Sequence, residues 1–161
     1  MEYTFLVDTY DSERLKTLNV WSLFTDADLV VRPHPTLARD RNPLEQMVHQ
    51  CLSEDKWFRT MFGIDLGAAA LPVQETRLEF IKHYAADSGK RVAILQAKDK
   101  AWWEEEVAFF DTKHCRAWIM VRRIAHTAHH RGELTTLLRL RGREVHSVYG
   151  PAVDTGGLPA N

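Results

Sequence analysis

The sequence predicts an all-α protein, a four-helix bundle with a long crossover connection. Three observations carry this. Four long stretches repeat their apolar residues every three or four positions, as helices that bury one face do. Capping residues, glycines and prolines fall almost entirely between those stretches. The 161 residues suit one domain, since domains usually run ~100–150 residues. Residues 1–161 are read as that domain, with 143–161 as an extended C-terminal tail. At 45% hydrophobic and 27% charged, the chain can bury a core and is not read as disordered.

The first helical stretch spans about residues 11–24. Leu15, Leu18 and Ser22, with Trp21 and Phe24 nearby, form its stripe, and Asp11 or Ser12 supplies a cap. Val31-Arg32-Pro33-His34-Pro35 then breaks the pattern. The second stretch opens with Asn42 as cap, Pro43 at the first helical position and Glu45 reaching back. It runs to Phe62 and stops at Gly63. Leu44, Met47, Val48, Cys51, Leu52, Phe58 and Phe62 are read as one face. A loop from Gly63 to Pro72 follows. The third stretch starts at a capping box, Thr76 to Glu79, and keeps its period through Leu78, Ile81, Ala85, Ser88, Val92 and Leu95 to about Gln96. Gly89 inside it costs ~1 kcal/mol relative to alanine. Between 98 and 110, Trp102, Trp103, Phe109 and Phe110 flank Glu104-Glu105-Glu106. A bent connector that lays aromatics over the core is favoured there over a strand or hairpin. The fourth helix is expected from near Thr112 to Arg141, ended by Gly142. It is apolar on two sides, Trp118 and Ile119 on one, Ile124, Ala128 and Leu138 on the other. Such a helix is central or shared with a second subunit.

Composition also excludes classes. Lys+Arg is 21 and Asp+Glu is 22, which makes no electrostatic case for a dedicated nucleic-acid binder. No apolar run approaches the ~18 residues of a membrane span. Met1-Glu2-Tyr3-Thr4 lacks a basic region followed by an apolar one, so no signal peptide is expected. Cys51 and Cys115 do not make a disulfide framework, and a cytoplasmic location is the expectation.

The chemistry gathers in His126-Thr127-Ala128-His129-His130-Arg131-Gly132-Glu133. His126 and His130 share one helical face with β-carbons ~5–6 Å apart, close enough to converge on one metal ion. Helical metalloproteases use the same spacing as His-Glu-x-x-His, with the Glu as general base. Thr127 stands in that Glu position, so the protease reading fails. Two imidazoles are an incomplete site, because catalytic zinc usually takes three protein ligands and a water. His49, on the second helix, is the candidate third ligand. Its place at the edge of the apolar stripe fits a site near the mouth of the bundle. Asp55 projects near the centre of that stripe. Either it orients a ligating imidazole, or the helix is shorter or rotated from this reading.

Plainer readings weigh against each signal. A His pair four apart arises readily by chance in a chain with eight histidines. His129 faces away from the pair as a surface or packing residue. His34, His83, His114 and His146 have no partner at ligand spacing. Cys51 is a small core hydrophobe, and Cys115 has no visible catalytic partner. Glu104-Glu105-Glu106 reads as a solvated edge. Arg139, Arg141 and Arg143 complement their own helix end.

The segment from His126 to Glu133, followed by Leu137-Leu138-Arg139 and Gly142, resembles the fourth-helix signature of the DinB/YfiT-like family. So do Val48-His49-Gln50-Cys51 ahead of Trp57-Phe58, and the tail Ser147-Val148-Tyr149-Gly150-Pro151-Ala152-Val153-Asp154. The resemblance covers nearly the whole chain. It implies a four-helix bundle with a long crossover connection, often a homodimer. It implies a divalent metal, zinc or nickel, held by His49, His126 and His130. Some relatives are thiol-dependent transferases or isomerases with a bacterial low-molecular-weight thiol as cosubstrate. The family usually has Gln after Arg-Gly, where this chain has Glu133. That residue is read as orienting a water or an imidazole, or as pairing with Arg131 or Arg122.

The expected function is therefore a metal-dependent enzyme that activates a thiol, or second a water, against a small-molecule substrate. Glu133 and Asp55 are its candidates for handling protons or supporting the ligands. The rival is a non-catalytic, metal-stabilised bundle serving stress response through a partner. A third reading is a structural bundle with an empty site.

Overall fold

A computed structural model describes residues 2–34, 36 and 39–156. Pro35 of the first break and residues 157–161 of the tail lie outside the described residues. Helix α1 spans Thr4–Ser22, α2 Pro43–Thr60, α3 Arg77–Gln96, the short α4 Lys100–Glu104, and α5 Arg116–Leu140. Strands β1 (Glu106–Phe109) and β2 (Thr112–Cys115) form an antiparallel hairpin between α4 and α5. The four long helices pack as a bundle, α1 against α3 and α5, and α2 against α5 and α3. The connection from α1 to α2, residues 23–42, therefore crosses the bundle. Among the described residues no helix is long and apolar enough to cross a membrane.

The caps explain where the helices start. Asn42 accepts from the Glu45 amide at 2.8 Å, and Glu45 accepts from the Asn42 amide at 2.9 Å. Thr76 accepts from the Glu79 amide, but only that half of the expected reciprocal pair forms. Gly63 and Gly142 take φ of +63° and +67°, the left-handed conformation that ends a helix and favours glycine.

Three expectations need correction. Helix α1 starts near residue 4 rather than 11, because Leu6, Val7 and Tyr10 extend its buried face toward the N-terminus. Residues 98–110 are not a mere connector. They hold α4 and the first strand of the hairpin, in which Phe109 pairs with Thr112 across a two-residue turn. The turn residues are Phe110 and Asp111 rather than the Asn-Gly or Asp-Gly that announces a hairpin, so the signal was weak. Helix α5 starts at 116 because residues 112–115 are taken up by β2.

The core has two apolar halves. One gathers Leu6, Val7, Tyr10, Phe58, Phe62, Trp103, Ile119 and Met120. The other gathers Val20, Trp21, Met47, Phe80, Tyr84, Leu134 and Leu138. Between them, every long helix contributes buried polar residues: Glu13 and Thr17, then Gln50 and Glu54, then Ser88 and Arg91, then Arg123 and Arg131. Burying such groups is tolerable only if they find partners. Glu54 is fully buried and accepts from the Tyr10 hydroxyl at 2.6 Å, the Tyr84 hydroxyl at 2.9 Å and Arg91 at 3.2 Å.

The described part of the tail is not wholly a surface strap, because Val145 is buried in the core among the second cluster of side chains. Arg143 donates to the Leu23 carbonyl at 2.8 Å and pairs with Asp28. Arg139 pairs with Asp154 at 2.6 Å. Arg131 of α5 clasps Glu13 of α1 and the Tyr149 hydroxyl, which itself donates to Glu13.

Candidate metal centre

Three imidazoles meet where α2 faces α5. The capped start of α2 sets its rotation so that His49, Ser53 and Trp57 lie along one partly exposed edge. One turn of α5 brings His126 and His130 to the same point. His130 Nε2 lies 3.0 Å from His49 Nε2 and 3.3 Å from His126 Nε2. Zinc–nitrogen bonds of ~2.0–2.1 Å in a tetrahedral site imply nitrogen separations of roughly 3.3–3.4 Å. The observed spacing therefore fits three ligands aimed at one ion. Hydrogen bonding does not account for both contacts, because with the His130 proton on Nδ1 toward Glu133 its Nε2 offers one in-plane lone pair, which accepts well from one neighbouring ring N–H and not from two.

The rings are suited to be neutral ligands. Burial, aided by the Arg41 charge and His130, lowers His49 from its ordinary 6.5 to about 4. Burial, aided by Arg123 and the other two rings, lowers His126 to about 3. Burial also lowers His130, outweighing the opposing pull of Glu133. Metal binding requires the deprotonated imidazole, so these shifts favour it.

Glu133 fixes one ring. Its Oε2 lies 2.7 Å from His130 Nδ1 and accepts from Gln46 Nε2 at 2.6 Å. With the proton on Nδ1, His130 presents a lone pair at Nε2 toward the other rings. Burial raises the Glu133 carboxyl, but the hydrogen bonds from His130 and Gln46 outweigh it and hold it below the usual range. Glu133 pairs with neither Arg131, which clasps Glu13, nor Arg122. His129 is largely exposed, with Nε2 3.3 Å from the other Glu133 oxygen.

Asp55 is not brought to the imidazoles. Its oxygens pair with Arg59 at 2.8 Å and Arg91 at 3.4 Å. The alternative in which α2 is rotated holds: Gln50, Glu54 and Asp55 are buried while Leu52 is exposed. Cys51 is buried, and burial pushes its thiol well above the ordinary range, so it is no nucleophile.

Gln46 and Arg123 were missed from the sequence. Arg123 is fully buried beneath the site and donates to Thr127 Oγ1 at 2.9 Å, Gln50 Oε1 at 3.1 Å and Ser53 Oγ at 3.1 Å. Only its four-residue spacing from Thr127 hinted at this, and its neighbour Arg122, which is exposed, looks the same in sequence. Beside the rings opens a cavity of about 680 Å³, walled by Trp57, Phe109 and Phe110, with Arg122 at its rim.

The class is thus a four-helix bundle carrying three histidines that could hold a metal ion. The chain belongs to the DinB family, whose model matches residues 6–156. It is similar in fold to a DinB-like protein from Bacillus cereus, with a TM-score of 0.75 at 20% identity over 89% of this chain and 95% of that one. It is similar also to the DinB-like protein YjoA from Bacillus subtilis, at 0.65, 16% identity, 86% and 92%. A third is YfiT from Bacillus subtilis, at 0.65, 15% identity and 88% of both chains, described as a probable metal-dependent hydrolase with an unusual four-helix bundle topology. No curated protein matches the sequence significantly.

Proposed function

We propose that this chain is a metal-dependent enzyme in which His49, His126 and His130 hold a divalent ion, zinc or nickel. The observation that carries it is the convergence of three Nε2 atoms beside an open cavity. When bound, such an ion acts as a Lewis acid that lowers the pKa of a thiol or water at its open position. The protein supplies the rest. Glu133 holds the His130 tautomer, Gln46 holds Glu133, and Arg123 ties the two helices together beneath the rings. Glu133 is thus a positioning residue, and Asp55 serves the core.

Thiol transfer, with a low-molecular-weight thiol as cosubstrate, is the first reading, on the resemblance of the motifs. Hydrolysis is the second, favoured by the description of YfiT. A purely structural ion is disfavoured. Among the described residues no fourth His, Cys, Asp or Glu joins the three rings, and structural sites are normally closed by four protein ligands.

Isothermal titration of zinc and nickel into chelator-treated protein tests this. The parent is expected to bind one ion, and His49→Ala, His126→Ala and His130→Ala are each expected to bind far more weakly. Three variants that bind as tightly as the parent would end the reading. Metal-loaded protein is then assayed for thiol transfer and ester hydrolysis.

A further inference from the structure

The cavity beside the imidazoles is built like a selective pocket, and its most informative residue is Phe110. The register Phe109 to Thr112 leaves Phe110 and Asp111 as the turn, and Phe110 takes φ of +53°. A positive φ is uncommon outside glycine, and for a bulky side chain it is an outlier. Two-residue turns with positive φ at their first central position favour glycine. Phe110 is also 67% exposed, so burial in the core does not explain a large aromatic there. Strained residues of this kind concentrate at binding sites.

Its ring explains the placement. Phe110 meets the Trp57 ring at 6.1 Å and the Phe109 ring at 4.8 Å, both near perpendicular. Phe109 meets Trp57 at 5.4 Å, also edge to face. Trp57 continues to His126, with centroids 5.8 Å apart. A wall of three aromatics thus leads to the rings. At the rim, the Arg122 guanidinium lies 5.9 Å from the centroid of the Trp118 ring and pairs with no carboxylate among the described residues. An unpaired guanidinium beside an apolar wall suits an anion. The volume, about 680 Å³, is of the size that small-molecule pockets have.

We infer that the hairpin is a specificity element: Phe110, Phe109 and Trp57 hold a flat apolar group of the substrate, while Arg122 holds an anionic group on the same molecule. This deepens the proposed function and rests on that reading of the site.

The probe is 2-naphthoate, with 2-naphthamide as its neutral counterpart, titrated by calorimetry into chelator-treated and zinc-loaded protein. Both forms are expected to bind naphthoate more tightly than naphthamide. Arg122→Gln is expected to weaken naphthoate about tenfold, in line with a lost charge-assisted contact, and to leave naphthamide unchanged. Phe110→Gly is expected to weaken both about tenfold, with a melting temperature no lower than the parent's, because glycine relieves the turn. Naphthoate binding that is absent, or indifferent to both variants, overturns the inference. So does a clear drop in melting temperature for Phe110→Gly, which would make Phe110 a packing residue. If zinc fails to bind but the chelator-treated protein holds naphthoate through Arg122, the pocket stands and the metal reading falls. If zinc binds and naphthoate does not, the pocket falls alone.

Discussion

Glu133 lies one turn from His130 on α5, and its Oε2 serves two donors, His130 Nδ1 and Gln46 Nε2. Partners that orient a ligating imidazole typically matter 10–100-fold in metal affinity. Glu133→Ala is accordingly expected to weaken zinc binding by about that factor. Glu133→Gln keeps an acceptor oxygen and is expected to lose less, as read by competition against a fluorescent chelator. Equal affinity in parent and Glu133→Ala would remove the positioning role. His126 and His130 were legible as a pair because helical spacing alone puts one above the other, whereas His49, on a different helix, was reached as a candidate third ligand and through the family resemblance. Gln46 and Arg123 were not, because their partners lie on the other helix, 87 and 73 positions away in sequence.

The helices were legible as intervals more than as faces. Caps and glycines are local chemistry, so Asn42, Thr76, Gly63 and Gly142 mark their positions well. Which side is buried depends on what the other helices offer. Leu15, Leu52 and Leu78 are exposed, although each sits on a plausible apolar stripe. Glu54 is buried because Tyr10, Tyr84 and Arg91 arrive from α1 and α3 to satisfy it. Removing one partner of a buried ion pair leaves the other charge uncompensated, at a typical loss of about 3–5 kcal/mol. Glu54→Gln is expected to destabilise the fold by roughly that amount, measured by urea unfolding. A loss below about 1 kcal/mol would mean the arginines find other partners. The hairpin was weighed in the sequence but ranked below a connector, because four-residue strands carry almost no period and its turn residues are unfavourable ones.

Two apolar half-cores with a polar belt between them give the fold a particular response to acid. His49 and His126 sit at the belt's edge with ring values of about 4 and 3. The unfolded chain takes up protons on both near 6.5, whereas the folded chain does not until those lower values. Stability in the metal-free protein is thus full above about pH 6.5 and falls as pH drops toward 4. Glu13, Asp28 and Glu133 are held below their ordinary values, and they add their loss only at the acid end. Urea midpoints of chelator-treated protein are expected to decline between about pH 6.5 and 5, and the decline is expected to flatten in His126→Ala. A flat parent profile across that window would contradict it. The three rings hang from only two rods, α2 and α5, which meet along a single seam. A cation gripping all three would act as a rivet through that seam alone, so that holding the ion and stiffening one flank of the barrel of helices become the same event, while α1 and α3 stay as free to breathe as before.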